Sequence, residues 1–193
     1  MTNRDSGVRE LIRRRAEPPV WEFGDLTIRR YRSADHTAVL ALHHDGLAQV
    51  GLRPGDGVYY DHDFPALKEI YLDNGGEFVV GRSARITGRF TDQSRQRRRV
   101  LAMGGLRRVD EHTAEMVRLR VHPDVQRRGY GAAIVLALEE RAIELGYRLL
   151  QGDTTDLQAP ALALYQRFGW RETRREVIRG IVNIYGEKVL GPT

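Results

Sequence analysis

The chain contains no cysteine. Disulfides, thiolate metal sites and a cysteine nucleophile are therefore excluded, although the compartment is not identified by that absence. Lysine is nearly missing as well. Lys68 and Lys188 are the only two among 31 basic side chains, and the net charge is +5. Two readings fit that excess of arginine. One is a genome-wide preference for Arg codons. The other is an anionic ligand, because a guanidinium grips phosphate through two parallel hydrogen bonds. The charge is too mild to require nucleic acid, and none is expected as a partner. Long apolar runs are also lacking. The longest, "AAIVLAL" (132–138), falls far short of the roughly 18–20 residues a membrane span needs. The opening stretch "MTNRDSGVRELIRRRAEPP" has no apolar centre, and its acidic residues do not suit a transit peptide. The expectation is a cytoplasmic protein with no membrane partner and no metal.

What is present suits one globular core. At 193 residues, 41% hydrophobic and 30% charged, a single domain would bury roughly 70% of its unfolded surface. Residues 1–24 read as an N-terminal arm and 25–193 as the domain. In the arm a helix can begin at Ser6 and must stop before Pro18-Pro19, and Trp21 and Phe23 would tie the segment down. "DLTIRRYR" (25–32) alternates like a strand. Ser33 or Asp35 can cap a helix through Val39, Leu40 and Leu42. A second helix is expected over 63–76, stopped at Asn74-Gly75-Gly76. Strands follow at 77–83, 100–109 and 114–121, with a polar, basic loop at 84–99. Gly104-Gly105 inside the second of these suggests a bulge or a close backbone approach. The segment 129–146 is the most secure helix, rich in Ala and Leu and stopped by Gly146. A strand at 148–153, a helix over 156–169 and an antiparallel pair to the end complete the order. Strand–helix–strand over 114–153 implies a right-handed parallel crossover, and the flanks imply antiparallel pairing. A mixed α/β sheet with helices on both faces follows.

One stretch carries chemistry. In "VHPDVQRRGYGAAI" (121–134) an apolar strand ends, passes through Pro123, Arg127 and Arg128, and restarts as a helix on Gly129 and Gly131. A helix N-terminus offers unsatisfied N–H groups and partial positive charge, glycines let the backbone curl round an anion, and arginines add charge. It is not a P-loop, which needs Gly-Lys-Ser/Thr. It is not the dinucleotide fingerprint either, because Ile134 stands where the third small residue belongs. A tight turn into a helix remains the plain alternative.

"Val-x-Pro-x-x-Gln-Arg-Arg-Gly-x-Gly-Ala" resembles the pyrophosphate-binding motif of the GCN5-related N-acetyltransferase (GNAT) superfamily. "TAEMVRLRVHP" resembles that family's central strand, and "DTTDLQAPALALYQRFGW" its later strand and helix, with Gln158 and Tyr165 seven residues apart. The resemblance is specific over 114–171 and architectural over the rest of 25–190. It implies a GNAT-like, mostly antiparallel sheet of six to seven strands flanked by helices, with a splayed parallel strand pair in the centre. It implies acetyl-CoA as co-substrate, wedged between strands 114–121 and 148–153. The main chain of Leu119 and Val121 would pair with the pantetheine arm. Gln126, Arg127, Arg128, Gly129, Tyr130, Gly131 and Ala132 would cradle the pyrophosphate, and Gln158 would touch the cofactor near the pantetheine.

Acetyl transfer to an amine requires a neutral amine, a polarised carbonyl and a proton for the departing thiolate. For a lysine-like amine of pKa about 10.4, deprotonation at pH 7 costs on the order of 4.6 kcal/mol. The resemblance makes Glu115 the candidate base, directly or through water, against the plain reading of a surface glutamate. It makes Tyr165 the candidate acid, since a phenol is protonated at pH 7; helical periodicity alone would read it as core. The Leu119 N–H is the candidate for polarising the carbonyl. With no cysteine available, both substrates must be bound together for direct transfer. Tyr31, Tyr59, Tyr60, Asp61 and Asp63 would suit a cationic acceptor. His43-His44 points apart on a helix and reads as structural, as do His62 and His122. "RQRRR" (95–99) reads as a solvated loop. The expected activity is acetyl transfer to the primary amine of a small molecule or amino-acid derivative. Two alternatives stand beside it: an acyl-CoA-binding regulatory module without turnover, and an acetyltransferase acting on protein N-termini or charged tRNA. A homodimer through residues 1–24 or the last strand is an expectation at the level of the family.

Overall fold

The structure, a computed structural model, describes residues 13–14, 18–53, 61–83 and 99–191. Among these residues nine strands form one sheet: β1 (Arg13–Arg14), β2 (Val20–Phe23), β3 (Leu26–Arg30), β4 (Glu77–Ser83), β5 (Ala102–Arg108), β6 (Thr113–Val121), β7 (Leu149–Thr155), β8 (Arg171–Ile178) and β9 (Ile181–Val189), in the spatial order β1-β2-β3-β4-β5-β6-β7-β9-β8. Every neighbouring pair is antiparallel except β6 and β7, which run parallel. The fold is the mixed, mostly antiparallel α/β sheet with a parallel pair. Seven of the strands are those expected from alternation, and β1 and β2 lengthen one edge. Trp21 of β2 is fully buried. The helix expected from Ser6 falls mostly on residues outside the described set. The two positions of it that are described, Arg13 and Arg14, are extended and pair with Glu22 and Trp21.

Among the described residues three α-helices flank the sheet: α1 (His36–Ala48), α2 (Tyr130–Glu144) and α3 (Ala159–Arg167). The helix expected over 63–76 is instead a 3-10 turn at Phe64–Ala66 followed by a π-helical turn at Lys68–Leu72. The Asp73 N–H reaches back five residues to the Lys68 carbonyl at 2.9 Å, and the segment ends before an α-helical ladder can form. No helix among the described residues is long and apolar enough to cross a membrane.

Alternation along the strands sorts two cores. Val79, Ala102, Leu106, Ala114 and Met116 face α2, whose Ile134, Val135, Ala137 and Leu138 are fully buried. Each buried Val, Leu, Ile or Met among these contributes about 1.5–3 kcal/mol. Phe78, Val80 and Met103 face the other way, onto Val39 and Leu42 of α1 and onto Phe64, Leu67 and Tyr71. Gly104 and Gly105 sit back to back between these layers. A Cβ on Gly104 would come within 2.8 Å of Ile134 Cγ2, and one on Gly105 within 2.9 Å of Tyr71 Cε1. Close backbone approach on both faces is the physical reason for the pair.

Candidate active site at the splayed strands

The parallel pair is short. β6 and β7 are in register at Thr113 with Leu149, Ala114 with Leu150 and Glu115 with Gln151, and no pairing follows. Beyond Glu115 the strands part. A bulge in β6 accompanies the split: the β5–β6 register shifts between Met103 and Gly105, and Arg118 takes a left-handed φ of 58°. The cleft that opens holds about 200 Å³ and is walled by Glu115–Arg120 of β6, Asp153 and Thr154 of β7, and Gln158, Ala161 and Tyr165 from α3 and its N-terminus.

The edge of β6 is aimed into this opening. The His122 N–H donates to the Leu101 carbonyl at 2.8 Å, so His122 points its main-chain groups at the β5 side. By alternation the main-chain groups of Val121 and Leu119 point the opposite way, toward the open side. Two side chains attend those carbonyls: Arg120 Nη1 donates to the Leu119 oxygen at 2.9 Å, and Gln126 Nε2 to the Val121 oxygen at 3.3 Å.

At the end of β6 the chain turns through Pro123–Val125 and enters α2. Arg127 and Gly129 both have positive φ, 61° and 85°. The first bond of the helical ladder runs from the Ala133 N–H to the Gly129 carbonyl at 3.0 Å, so the N–H groups of Tyr130, Gly131 and Ala132 lie ahead of it. Arg127 and Arg128 are exposed at this mouth. The side chains of Tyr130 and Ala132 are buried, which leaves their main chain for a ligand. Gln126 is a staple rather than a free arm, since its amide also donates to Gln49 Oε1 at 2.9 Å. Phe23 lies under the loop: a Cβ on Gly129 would meet its Cζ at 2.8 Å.

The acidic and aromatic residues divide between wall and floor. Glu115 accepts from Arg107 Nε at 3.0 Å and from Arg107 Nη2, both on Oε2. Tyr165 packs its ring against Trp170, centroids 4.9 Å apart, and lines the cleft with Gln158. Asp63 is almost fully buried. It takes a 2.5 Å hydrogen bond from the Tyr71 hydroxyl and is forked by Arg118 at 3.0 and 2.5 Å. Those bonds hold its carboxyl below the usual range against the opposing effect of burial. Arg118 also reaches Asp61 Oδ1 at 3.4 Å, and the same oxygen lies 2.8 Å from His43 Nε2. Asp63 thus pins the bulge. Tyr31 is buried in the core beside Phe78 and does not line the cleft. Tyr59, Tyr60 and most of "RQRRR" lie outside the described residues. His43 is fully buried among core side chains, and among the described residues no three His, Cys, Asp or Glu side chains cluster as metal ligands. His122 accepts the Asp124 N–H at 3.3 Å.

Asp153 is the residue sequence reasoning passed over. It sits two residues past the last β6–β7 pair, in a stretch whose alternation only marks a strand. A second hollow of about 500 Å³ adjoins the cleft, shares Arg107 and Glu115 with it, and runs over Gln151, Arg174 and Tyr185.

Among the described strands the sheet splays at its parallel pair, directly ahead of a glycine-opened helix. A family model described as the acetyltransferase (GNAT) family matches residues 48–170, more than half of the chain, and the chain belongs to that family. Solved structures agree in fold. A GNAT-family acetyltransferase from Staphylococcus aureus superposes with a TM-score of 0.70 at 16% identity, covering 86% of this chain and 99% of that one. A putative acetyltransferase from Salmonella typhimurium, yncA, solved with its cofactor acetyl-CoA, gives 0.66 at 18% identity, covering 88% and 96%. A phosphinothricin acetyltransferase from Sinorhizobium meliloti, in complex with acetyl-CoA, gives 0.64 at 16% identity, covering 86% and 89%. No curated protein matches the chain.

Proposed function

We propose that the protein transfers an acetyl group from acetyl-CoA, the family's co-substrate, directly to the primary amine of a small molecule or amino-acid derivative. One observation carries this reading: β6 and β7 stop pairing after Glu115 and Gln151, and the main-chain edge they expose at Leu119 and Val121 leads straight to the N-terminus of α2. A strand edge suits the amides of a pantetheine arm, and a helix mouth flanked by Arg127 and Arg128 suits a pyrophosphate. In this reading the Leu119 N–H polarises the thioester carbonyl. Tyr165 gives its phenolic proton to the departing thiolate. Glu115, its Oε2 held by Arg107, presents its other oxygen to the cationic acceptor.

Calorimetric titration with acetyl-CoA, with NADH and ATP as controls, tests the first half. Thiol release on adding a panel of amino acids, amino-acid amides and alkyl amines tests the second. Binding of acetyl-CoA alone, followed by amine-dependent thiol release, is expected. Absence of acetyl-CoA binding by folded protein would overturn the reading.

A further inference from the structure

An ammonium must lose a proton before its nitrogen can attack, and besides Glu115 and the Arg118-bound Asp63 the cleft holds one more carboxylate among its described lining residues. Asp153 lies on β7 two residues beyond Gln151, so the period of two puts both side chains on one face of the sheet. Glu115, in register with Gln151, shares that face. Asp153 therefore enters the cleft from the β7 wall as Glu115 does from the β6 wall, and Tyr165 lines the same space.

The two carboxylates differ in what holds them. Glu115 is forked by Arg107. No hydrogen-bond donor among the described residues reaches the Asp153 side chain, although it is half-buried. The charged groups around it come from several elements. Glu115, Arg118 and Arg120 face it from β6, Arg107 from β5, and Tyr185 from β9, while His62 and Asp63 line the cleft from the segment before Phe64. Burial raises the proton affinity of its carboxyl above the ordinary aspartate value. The negative charge of Glu115 acts in the same direction, and the three arginines oppose it. A desolvated carboxylate without a hydrogen-bonded cation, facing the reacting groups, has the properties of a general base.

We propose that Asp153 takes the proton from the acceptor ammonium, and that the Arg107–Glu115 pair positions that amine. The proposal rests on the transferase reading above and moves the base from Glu115 to Asp153. The protons balance. The ammonium gives one proton to Asp153. The free amine lone pair forms the C–N bond at the thioester carbonyl carbon, and the C–S bond breaks. The thiolate takes the Tyr165 proton, the second proton lost by nitrogen restores Tyr165 through solvent, and Asp153 releases its own. One proton leaves per turnover.

The test uses the full chain. In protein labelled with 13C at the aspartate carboxyls, the Asp153 resonance, assigned with Asp153→Asn, is titrated with CoA bound. A midpoint above the ordinary aspartate range is expected, and one within or below it overturns the proposal. In turnover at pH 7, Asp153→Asn is expected to lower kcat/KM for the best alkyl amine by about 10²–10⁴-fold. Its acetyl-CoA affinity should match wild type. Its rate should recover as pH approaches the pKa of the amine itself, and an arylamine, already neutral at pH 7, should be spared. Glu115→Gln should raise KM for the amine and keep the acid limb of the pH profile. An Asp153→Asn variant with undiminished alkyl-amine turnover sinks this proposal and leaves the transferase reading standing. Failure of wild type to bind acetyl-CoA sinks both. If no amine in the panel is acetylated, the carboxyl titration alone decides.

Discussion

The Tyr130 hydroxyl donates a hydrogen bond to Asp25 Oδ1 at 2.7 Å, and that bond fastens the first residue of α2 to the turn between β2 and β3. Asp25 also accepts from Ser83 Oγ at 2.7 Å, which ties the same turn to the end of β4. Burial and the Asp25 carboxylate push the Tyr130 phenol up to about 12, so the bond keeps its donor throughout the physiological range. With Phe23 packed under Gly129, the proposed anion cradle stands on the β2–β3 hairpin as much as on its own helix.

That support makes Gly129 the sharpest probe of the cradle. Gly129→Ala places a Cβ at φ 85° and within 2.8 Å of Phe23 Cζ. A left-handed residue with a side chain costs about 1–2 kcal/mol, before any displacement of Phe23. Acetyl-CoA affinity is expected to fall by about tenfold or more, with the denaturation midpoint lowered by the strain. Calorimetric titration beside a urea melt reads both, and unchanged affinity in a strained variant would detach the cradle from ligand binding.

Tyr165 touches the cleft from α3 while its ring stacks on Trp170. Tyr165→Phe keeps the ring and removes only the hydroxyl. If the hydroxyl protonates the thiolate, kcat falls by about 10²–10⁴-fold and acetyl-CoA affinity holds. Steady-state thiol release on wild type and variant measures the split. Unaltered kcat would return Tyr165 to a packing role.

The sequence made some of this legible and hid the rest for physical reasons. The central strand, the positive-φ turn and α2 are legible because Val121, Gly129 and the helical run after it are contiguous in sequence. β2 was hidden: "VWEF" is four residues long, too short for alternation to stand out beside Pro18-Pro19. The 64–72 segment was misread because apolar spacing is the same for an α-helix and for two short irregular turns. The bulge at Arg118 left no mark, since an arginine at positive φ looks like any other. Asp153 lies where two strands diverge around it, and Asp63 takes its partners, Tyr71 and Arg118, from two other segments. Such roles come from topology, and local pattern does not encode them.

Asp63 gives the stability counterpart. It satisfies Tyr71 and Arg118 at once, both largely buried. Asp63→Ala deprives the Tyr71 phenol of a hydrogen bond and leaves the Arg118 guanidinium with the longer 3.4 Å contact to Asp61, and removal of one partner of a buried ion pair costs up to about 3–5 kcal/mol. Urea denaturation should show that loss. Because Arg118 is the bulge residue, KM for acetyl-CoA should rise in whatever fraction stays folded, whereas Asp63→Asn, which can still accept from Tyr71, should lose less.

His43 sets the acid stability of the α1 side. It is fully buried, and its Nε2 lies 2.8 Å from Asp61 Oδ1. Burial first, then the positive charges of Arg120 and Arg118, lower its pKa from 6.5 to about 4, against the pull of Asp61. Below 6.5 the unfolded chain binds a proton that the folded chain refuses, so stability rises with pH across this window and is lost as pH falls from 6.5 toward 4. The gap between those values corresponds to roughly 3 kcal/mol. His43→Gln, which can still donate to Asp61, should flatten the pH dependence of unfolding free energy over that range by about this amount. Urea melts of both proteins at pH 7.5, 6, 5 and 4 measure it. The opposite slope, with wild type gaining stability on acidification, would mean that His43 is charged and paired with Asp61, and that the ion pair outweighs burial.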